Sequence, residues 1–373
     1  MKKLICVLLV IISIFAFTGC HNNKGIDTNK ISVGIIETRG NISKSRILFL
    51  DDQLKEIGSL PLDYANVGES FEKALVKDNI LYVIPKGLDA KKDEKAVLEI
   101  DLKNLETKKH TIDQISMYGI TVDDNNIYTA NNINGSSYIN KCNKKTDKTD
   151  TIELKNVYIS NLFFADNKLF AFAELINNSN IRTSYIYVYD NNLKLMREID
   201  ITQCGASQNK FIEHKGHIYF SNMSDKYDTF GNTVGVLDTT DFSLDIIKLN
   251  QNCPLDLQIH NDKLYITHYN IIQGVGGGLT VYDLKNKEQN YIEFSHGAEQ
   301  MSIANNKMYV LADRTLNVYD INTMKLVNST EISNIDSDYS YLSGLFVVQE
   351  ILIYSNKAEN TLCFYFYKNS VIC

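Results

Sequence analysis

A short turn followed by an apolar strand with an aromatic residue recurs along the chain. The copies are Asp78-Asn79-Ile80-Leu81-Tyr82, Asp124-Asn125-Asn126-Ile127-Tyr128, Asp166-Asn167-Lys168-Leu169-Phe170, Lys215-Gly216-His217-Ile218-Tyr219, Asn261-Asp262-Lys263-Leu264-Tyr265 and Asn305-Asn306-Lys307-Met308-Tyr309, with a weaker seventh at Gln349-Glu350-Ile351-Leu352-Ile353. Their closing residues follow one another at steps of roughly 42 to 49 residues. A period of about 45 residues built from short strands calls for radial repetition of small sheets. The expected fold is therefore all-β, a β-propeller of four-stranded antiparallel blades spanning residues 31–373.

Each repeat supplies four strand-like pieces, A to D from the axis outward. The aromatic piece is strand B. Strand C ends in Asp, as in Ile186-Tyr187-Val188-Tyr189-Asp190 and Leu316-Asn317-Val318-Tyr319-Asp320, and that Asp favours an Asx turn into strand D. Four residues before each A-to-B turn stand Ala74, Ile120, Leu162, Phe211, Leu257, Met301 and Leu345. The position two before the turn is also apolar except at Glu213, the period-2 mark of a strand facing a core. The residues five before it, Lys73, Gly119, Asn161, Lys210, Asp256, Gln300 and Gly344, are polar or glycine and are expected at the channel mouth. Seven A strands predict seven blades. The first strands, Ile31 to Glu37, Arg46 to Asp51 and Lys55 to Leu60, read as B, C and D without an A. The chain arithmetic also permits eight blades with one incomplete.

Leu264-Tyr265-Ile266-Thr267 with Leu279-Thr280-Val281-Tyr282-Asp283, and Lys307-Met308-Tyr309-Val310 with Leu316-Asn317-Val318-Tyr319-Asp320, resemble the YVTN-type β-propeller repeat of prokaryotic surface proteins. That resemblance implies the fold and a surface location, and carries over no catalytic set.

The first residues read as a leader. Lys2 and Lys3 precede an apolar run from Leu4 to Phe17, closed by Phe17-Thr18-Gly19-Cys20. The run is short for a membrane span. Cys20 after a small-residue site resembles the lipobox of bacterial lipoproteins, with Phe17 where Leu is usual. The resemblance implies a signal peptide at 1–19, lipid on the Cys20 sulfur, and attachment to the extracytoplasmic face of the cell membrane. Residues 20–30 are polar and read as a flexible tether.

Loss of Lys2 and Lys3 would make a formal charge of −7 more acidic still. No basic stripe is present, so nucleic acid is not an expected partner. The chain has 22 Tyr and no Trp, which disfavours quinoprotein propellers with Trp-docking repeats and the Trp-ended Asp-box of sialidases. No nucleophile elbow or His-Glu-x-x-His segment occurs. Cys142, Cys204, Cys253, Cys363 and Cys373 show no zinc-type spacing, so neither metal nor cofactor is expected. Cys204 and Cys253 occupy matching points of consecutive repeats and are candidates for a disulfide.

Four B-to-C segments look long: Pro85 to Lys95, Leu175 to Arg182, Asn222 to Asn232 and His268 to Gly278. They place any site on the face shared by B-to-C and D-to-A loops. Candidate ligand-binding residues there are Asp225, Tyr227, Asp228, His268, Tyr269, His296 and Glu299. Charged loops and isolated histidines are commonly structural or simply solvated, and no Asp-x-Asp-x-Asp-Gly calcium loop is present. Gln273 to Gly278 does not lead into a helix, so it reads as a flexible loop rather than a phosphate cradle. The expected function is a membrane-anchored binding or protein-interaction module for a protein or glycan. The alternative is a hydrolase or lyase of sugar lactones or polysaccharide fragments, with His268, His296 and Glu299 at its centre and Arg314 on the same face.

Overall fold

The structure, a computed structural model, describes residues 25–68, 74–88, 94–175, 181–333 and 340–348, and the backbone of 364–366 and 370–372. Seven four-stranded antiparallel sheets are arranged in a ring. Blade one is built from Leu75–Lys77, Ile80–Val83, Ala96–Asp101 and Thr107–Thr111. Blade two follows with Met117–Val122, Asn126–Ile133, Ser136–Asn143 and Thr149–Lys155, and blade three with Val157–Ala165, Lys168–Leu175, Ser184–Tyr189 and Leu195–Asp200. Blade four holds Ala206–His214, His217–Ser224, Phe230–Asp238 and Leu244–Lys248, and blade five Pro254–His260, Lys263–Asn270, Val275–Asp283 and Gln289–Glu293. Blade six holds Gln300–Ala304, Lys307–Ala312, Thr315–Asp320 and Leu326–Glu331.

Blade seven is composite. Ser340–Val347 is its inner strand and pairs with Val33–Arg39, followed outward by Ser45–Leu50 and Glu56–Leu62. The N-terminal segment thus takes the B position that a C-terminal repeat would otherwise fill, and joining the chain ends leaves no unpaired edge at the junction. The weak repeat at Gln349 to Ile353 lies outside the described residues. Phe364–Phe366 and Ser370–Ile372 pair with each other as a separate two-stranded sheet.

Local chemistry explains the rhythm. In five A-to-B hairpins both central residues have positive φ: Asp78 and Asn79, Asp166 and Asn167, Lys215 and Gly216, Asn261 and Asp262, Asn305 and Asn306. Such two-residue turns match the twist of paired strands and favour Asn, Asp and Gly. Blade two uses another device, in which Asp123 Oδ1 accepts the N–H groups of Asn125 and Asn126 at 2.6 Å each. The Asx turns expected after strand C are present: Asp51, Asp101, Asp190, Asp238, Asp283 and Asp320 each accept a backbone N–H two residues on, and Asn143 does so in blade two.

The core lies between blades. In Lys168–Leu175, Phe170 and Phe172 face Ile218, Phe220 and Leu237 of blade four, while Leu169, Ala171 and Ala173 face Tyr128 and Ile139 of blade two. Both sheet faces are buried, so the strand reads as continuously apolar rather than alternating. A fully buried aromatic side chain here contributes about 2 to 3 kcal/mol. The expected tether is ordered in its last residues: Asp27 caps a 3₁₀ turn at Thr28–Lys30, and Ile26 packs against the blade-seven core beside Gly58. Cys20 and the expected leader lie outside the described residues, and among those described no helix is long and apolar enough to cross a membrane.

Candidate functional site

Of the residues expected at the channel mouth, Asn161, Asp256 and Gln300 take part in the ring's internal bonding, and Lys73 lies outside the described residues. Lys210, Asp256 and Gln300 are buried. Asp256 Oδ2 accepts the N–H of Met301 at 2.7 Å, and Gln300 Oε1 accepts that of Leu345 at 2.7 Å. Asn161 Nδ2 donates to the Gln208 carbonyl at 3.4 Å. Each of these bonds joins the inner strand of one blade to that of the next. A polar side chain at a strand start is shielded there by its neighbours and must bond to them.

The loop face also departs from expectation. Strands Phe230–Asp238 and Val275–Asp283 begin earlier than the sequence reading placed them, with Ser224 paired to Phe230 and Asn270 to Val275. The glycine-rich segment is therefore mostly strand, not loop. A Cβ on Gly277 would collide with the His296 carbonyl, and one on Gly278 with the Tyr291 ring. The glycines let the blade-five hairpin lie against its neighbours.

His268 is buried rather than exposed. Its Nδ1 lies 2.8 Å from the Asn252 carbonyl and its Nε2 2.8 Å from the Thr280 hydroxyl. Nδ1–H therefore donates, and Nε2 accepts from Thr280. Burial pushes its pKa down to about 4. His296 stacks on Phe294, with ring centroids 5.2 Å apart. Its Nδ1 lies 2.6 Å from the Gly297 carbonyl and its Nε2 2.5 Å from the Tyr319 hydroxyl. Both histidines thus use both ring nitrogens on neighbours. Glu299 pairs with the Tyr269 hydroxyl and accepts the Asp313 N–H at 2.9 Å, and burial holds its carboxyl above the usual range. Arg314 does not join this group. Its Nη2 lies 2.6 Å from the buried Glu37, whose other oxygen is 2.8 Å from Arg46 Nε. The structure brings Tyr269 and Glu299 together but does not assemble His268, His296, Glu299 and Arg314 into one reactive centre.

The remaining candidates form a braced loop. Asp225 Oδ1 accepts the N–H groups of Tyr227 and Thr229 at 2.8 and 2.9 Å, which holds its carboxyl low despite some burial. Asp228 lies 2.9 Å from Arg182 Nη2 in the preceding blade, and the Arg182 N–H donates to the Lys226 carbonyl at 2.9 Å. Further round, the Cys253 N–H donates to the Gly231 carbonyl and the Tyr269 N–H to that of Cys253. Cys253 and the buried Cys204 are free thiols, so the candidate disulfide is not formed. Burial pushes the Cys204 thiol up to about 12.

On this braced rim stand apolar side chains that the sequence reading passed over, apart from Tyr227. Ile272 is 87% exposed, Tyr227 59%, Val275 55% and Phe230 50%. Each flanks or tips a B-to-C loop of blade four or five, and Ile181 extends the set into blade three. Isolated exposed apolar residues need no explanation, but these four flank or tip the B-to-C loops of two adjacent blades. Two clefts lie elsewhere, on the short-turn side. One of about 240 Å³ runs between Asp52–Leu54 and Lys307, Val318 and Asn328, and one of about 230 Å³ lies beside Asn126, Lys141 and Lys148.

Among the described residues, the fold also gathers side chains of metal-ligand type that spacing did not reveal: His110, Cys142 and Asp147, whose ligand atoms lie within 4.8 Å of one another. They come from two blades, so no local motif announces them.

Fold and bonding define a seven-bladed β-propeller with a braced loop face. Neither a protein-family profile nor a curated protein sequence matches the chain. Solved structures do. One is a functionally unknown protein from Desulfotomaculum acetoxidans, 16% identical, matched over 85% of this chain and 98% of that one with a TM-score of 0.58. Another is a Kluyveromyces lactis Hsv2 variant with a replaced loop, 12% identical over 80% of this chain and 100% of that one, TM-score 0.52. Apo AztD from Citrobacter koseri is 10% identical over 85% and 98%, TM-score 0.50. At these identities the likeness is one of fold alone.

Proposed function

We propose that the protein is a lipid-anchored, extracytoplasmic binding module that engages a protein partner through the loop face of blades three to five. The observation that carries this reading is the row of exposed apolar tips, Tyr227, Phe230, Ile272 and Val275, on loops tied blade to blade by hydrogen bonds. Pre-ordered loops lose little entropy on binding, and aromatic and aliphatic anchors supply most interface energy. The anchor rests on Cys20 and its leader, by the lipobox resemblance. A lactone hydrolase or lyase built on His268, His296 and Glu299 has less support, because each histidine is already bonded at both nitrogens.

The test is site-specific photo-crosslinking in intact membranes. A photoreactive residue at 227 or 272 should yield one discrete adduct that the Phe230→Asp/Val275→Asp double variant abolishes. The same probe at Leu195 or Leu326, exposed on outer strands, should yield none. Absence of an adduct at both loop positions, or equal labelling at the outer strands, would overturn the reading.

A further inference from the structure

The contact between blades one and two holds a cluster that the loop face does not use. His110 lies in Thr107–Thr111 of blade one, Cys142 in Ser136–Asn143 of blade two, and Asp147 in the turn that follows. His110 and Cys142 are fully buried, and the Asp147 side chain is 39% exposed. The cluster is therefore sealed on the protein side and reaches solvent through one carboxylate.

The donor set is of the kind that transition metals take. One His110 ring nitrogen, Cys142 Sγ and an Asp147 oxygen lie within 4.8 Å of one another, so a small displacement inward would bring all three to one ion. His110 Nδ1 faces Asp147 Oδ1 at 2.7 Å, and its Nε2 faces Glu99 Oε2 at 3.1 Å. A carboxylate on the far nitrogen of a ligating histidine fixes its tautomer and raises its basicity. Here Nε2–H would donate to Glu99, leaving Nδ1 for the ion. Asp147 would exchange its hydrogen bond for a metal bond. Thiolate and carboxylate together would balance a divalent charge. Magnesium and calcium prefer all-oxygen sites, whereas imidazole with thiolate suits zinc and its neighbours.

We propose that His110, Cys142 and Asp147 bind one zinc-like divalent cation, with Glu99 as the outer carboxylate that orients His110. Three protein ligands leave a fourth position for water or a small anion. The ion would add a metal link between blade one and blade two beside the Glu99–His110–Asp147 bonding chain and the Lys77–Asp124 ion pair.

The probe is Co²⁺ titrated into the full-length protein, purified in detergent and stripped with a chelator. One equivalent should bind, with the intense visible bands of a four-coordinate site and a near-ultraviolet thiolate-to-cobalt band. Cys142→Ser should lose the thiolate band. Asp147→Asn, a change at a half-exposed position that leaves the core intact, should weaken binding at least ~10-fold, and Glu99→Gln by roughly 10-fold with the spectrum retained. Folding of every variant is checked by circular dichroism. Folded wild-type protein that takes up no Co²⁺ would overturn the proposal. So would an unchanged spectrum in Cys142→Ser, or unchanged affinity in folded Asp147→Asn.

Discussion

Phe346 lies over Gly34 across the seam that joins the two ends of the chain. The two residues are register partners, and a Cβ at position 34 would overlap the Phe346 ring. The aromatic ring covers the backbone of the facing glycine and fills the space where a side chain would stand. Phe220 and Gly235 repeat the relationship within blade four.

Gly34→Val should therefore open the seam. Overpacking of a fixed ring costs about 1 to 3 kcal/mol or more, and Phe346→Ala should cost about 3 to 5 kcal/mol through the cavity it leaves. Urea unfolding followed by circular dichroism checks both. Stability within 0.5 kcal/mol of wild type, a limit set at about the noise of a neutral surface change, would show that the seam does not depend on this packing.

A chain ending at Val348 should keep the propeller, because Val33–Arg39 already fills the B position of blade seven. A chain ending at Ser333 should not, since it removes the strand to which Val33–Arg39 is paired. Limited proteolysis of the two truncations distinguishes them, and a protease-sensitive 348 form would contradict the seam described above.

Asp256→Ala should remove the inter-blade acceptor of the Met301 N–H. Unsatisfied buried donors cost about 1 to 3 kcal/mol each. Asp256→Asn keeps one acceptor oxygen and should lose less. With no Trp in the chain, Tyr fluorescence reports the urea midpoint. Equal midpoints for wild type and Asp256→Ala would remove the inter-blade bond as a source of stability.

His268 gives a pH signature with a definite sign. Its folded pKa, about 4, lies below the ordinary 6.5. The unfolded chain then binds a proton that the folded protein refuses, so the stability is complete above about pH 6.5 and lost as pH falls through about 4. Between pH 7 and pH 4.5 the wild type should lose about 2 to 3 kcal/mol more than His268→Gln. Parallel pH profiles of unfolding would refute the buried neutral imidazole.

Cys20→Ala should release the protein from membranes, as measured by fractionation and by loss of radiolabelled fatty acid. Unchanged membrane association would end the lipoprotein reading.

Strand order, the two-residue turns and the Asx turns could all be read from the chain, because each depends on residues within a few positions of one another: Asn261 and Asp262 make their turn locally, and Asp283 bonds to Lys285. The seven-blade count could be read for the same reason, since every inner strand carries its own alternation. The site could not. His268 and His296 look alike as letters, yet Thr280 and Asn252 enclose one while Tyr319 and Phe294 hold the other. Asp256 reads as a channel residue by its position, yet its carboxylate accepts the Met301 N–H of the next blade.

Repeat period and strand pairing within blades are thus properties of the linear chain, carried by local backbone preference and the alternation of apolar residues. Which polar side chains stay available to a ligand was set by contacts between blades. Those contacts join residues from separate repeats: Arg314 to Glu37, Arg182 to Asp228, and His110 to Asp147. Burial and hydrogen bonding at these junctions depend on how neighbouring sheets pack around the ring, a property that no single repeat contains.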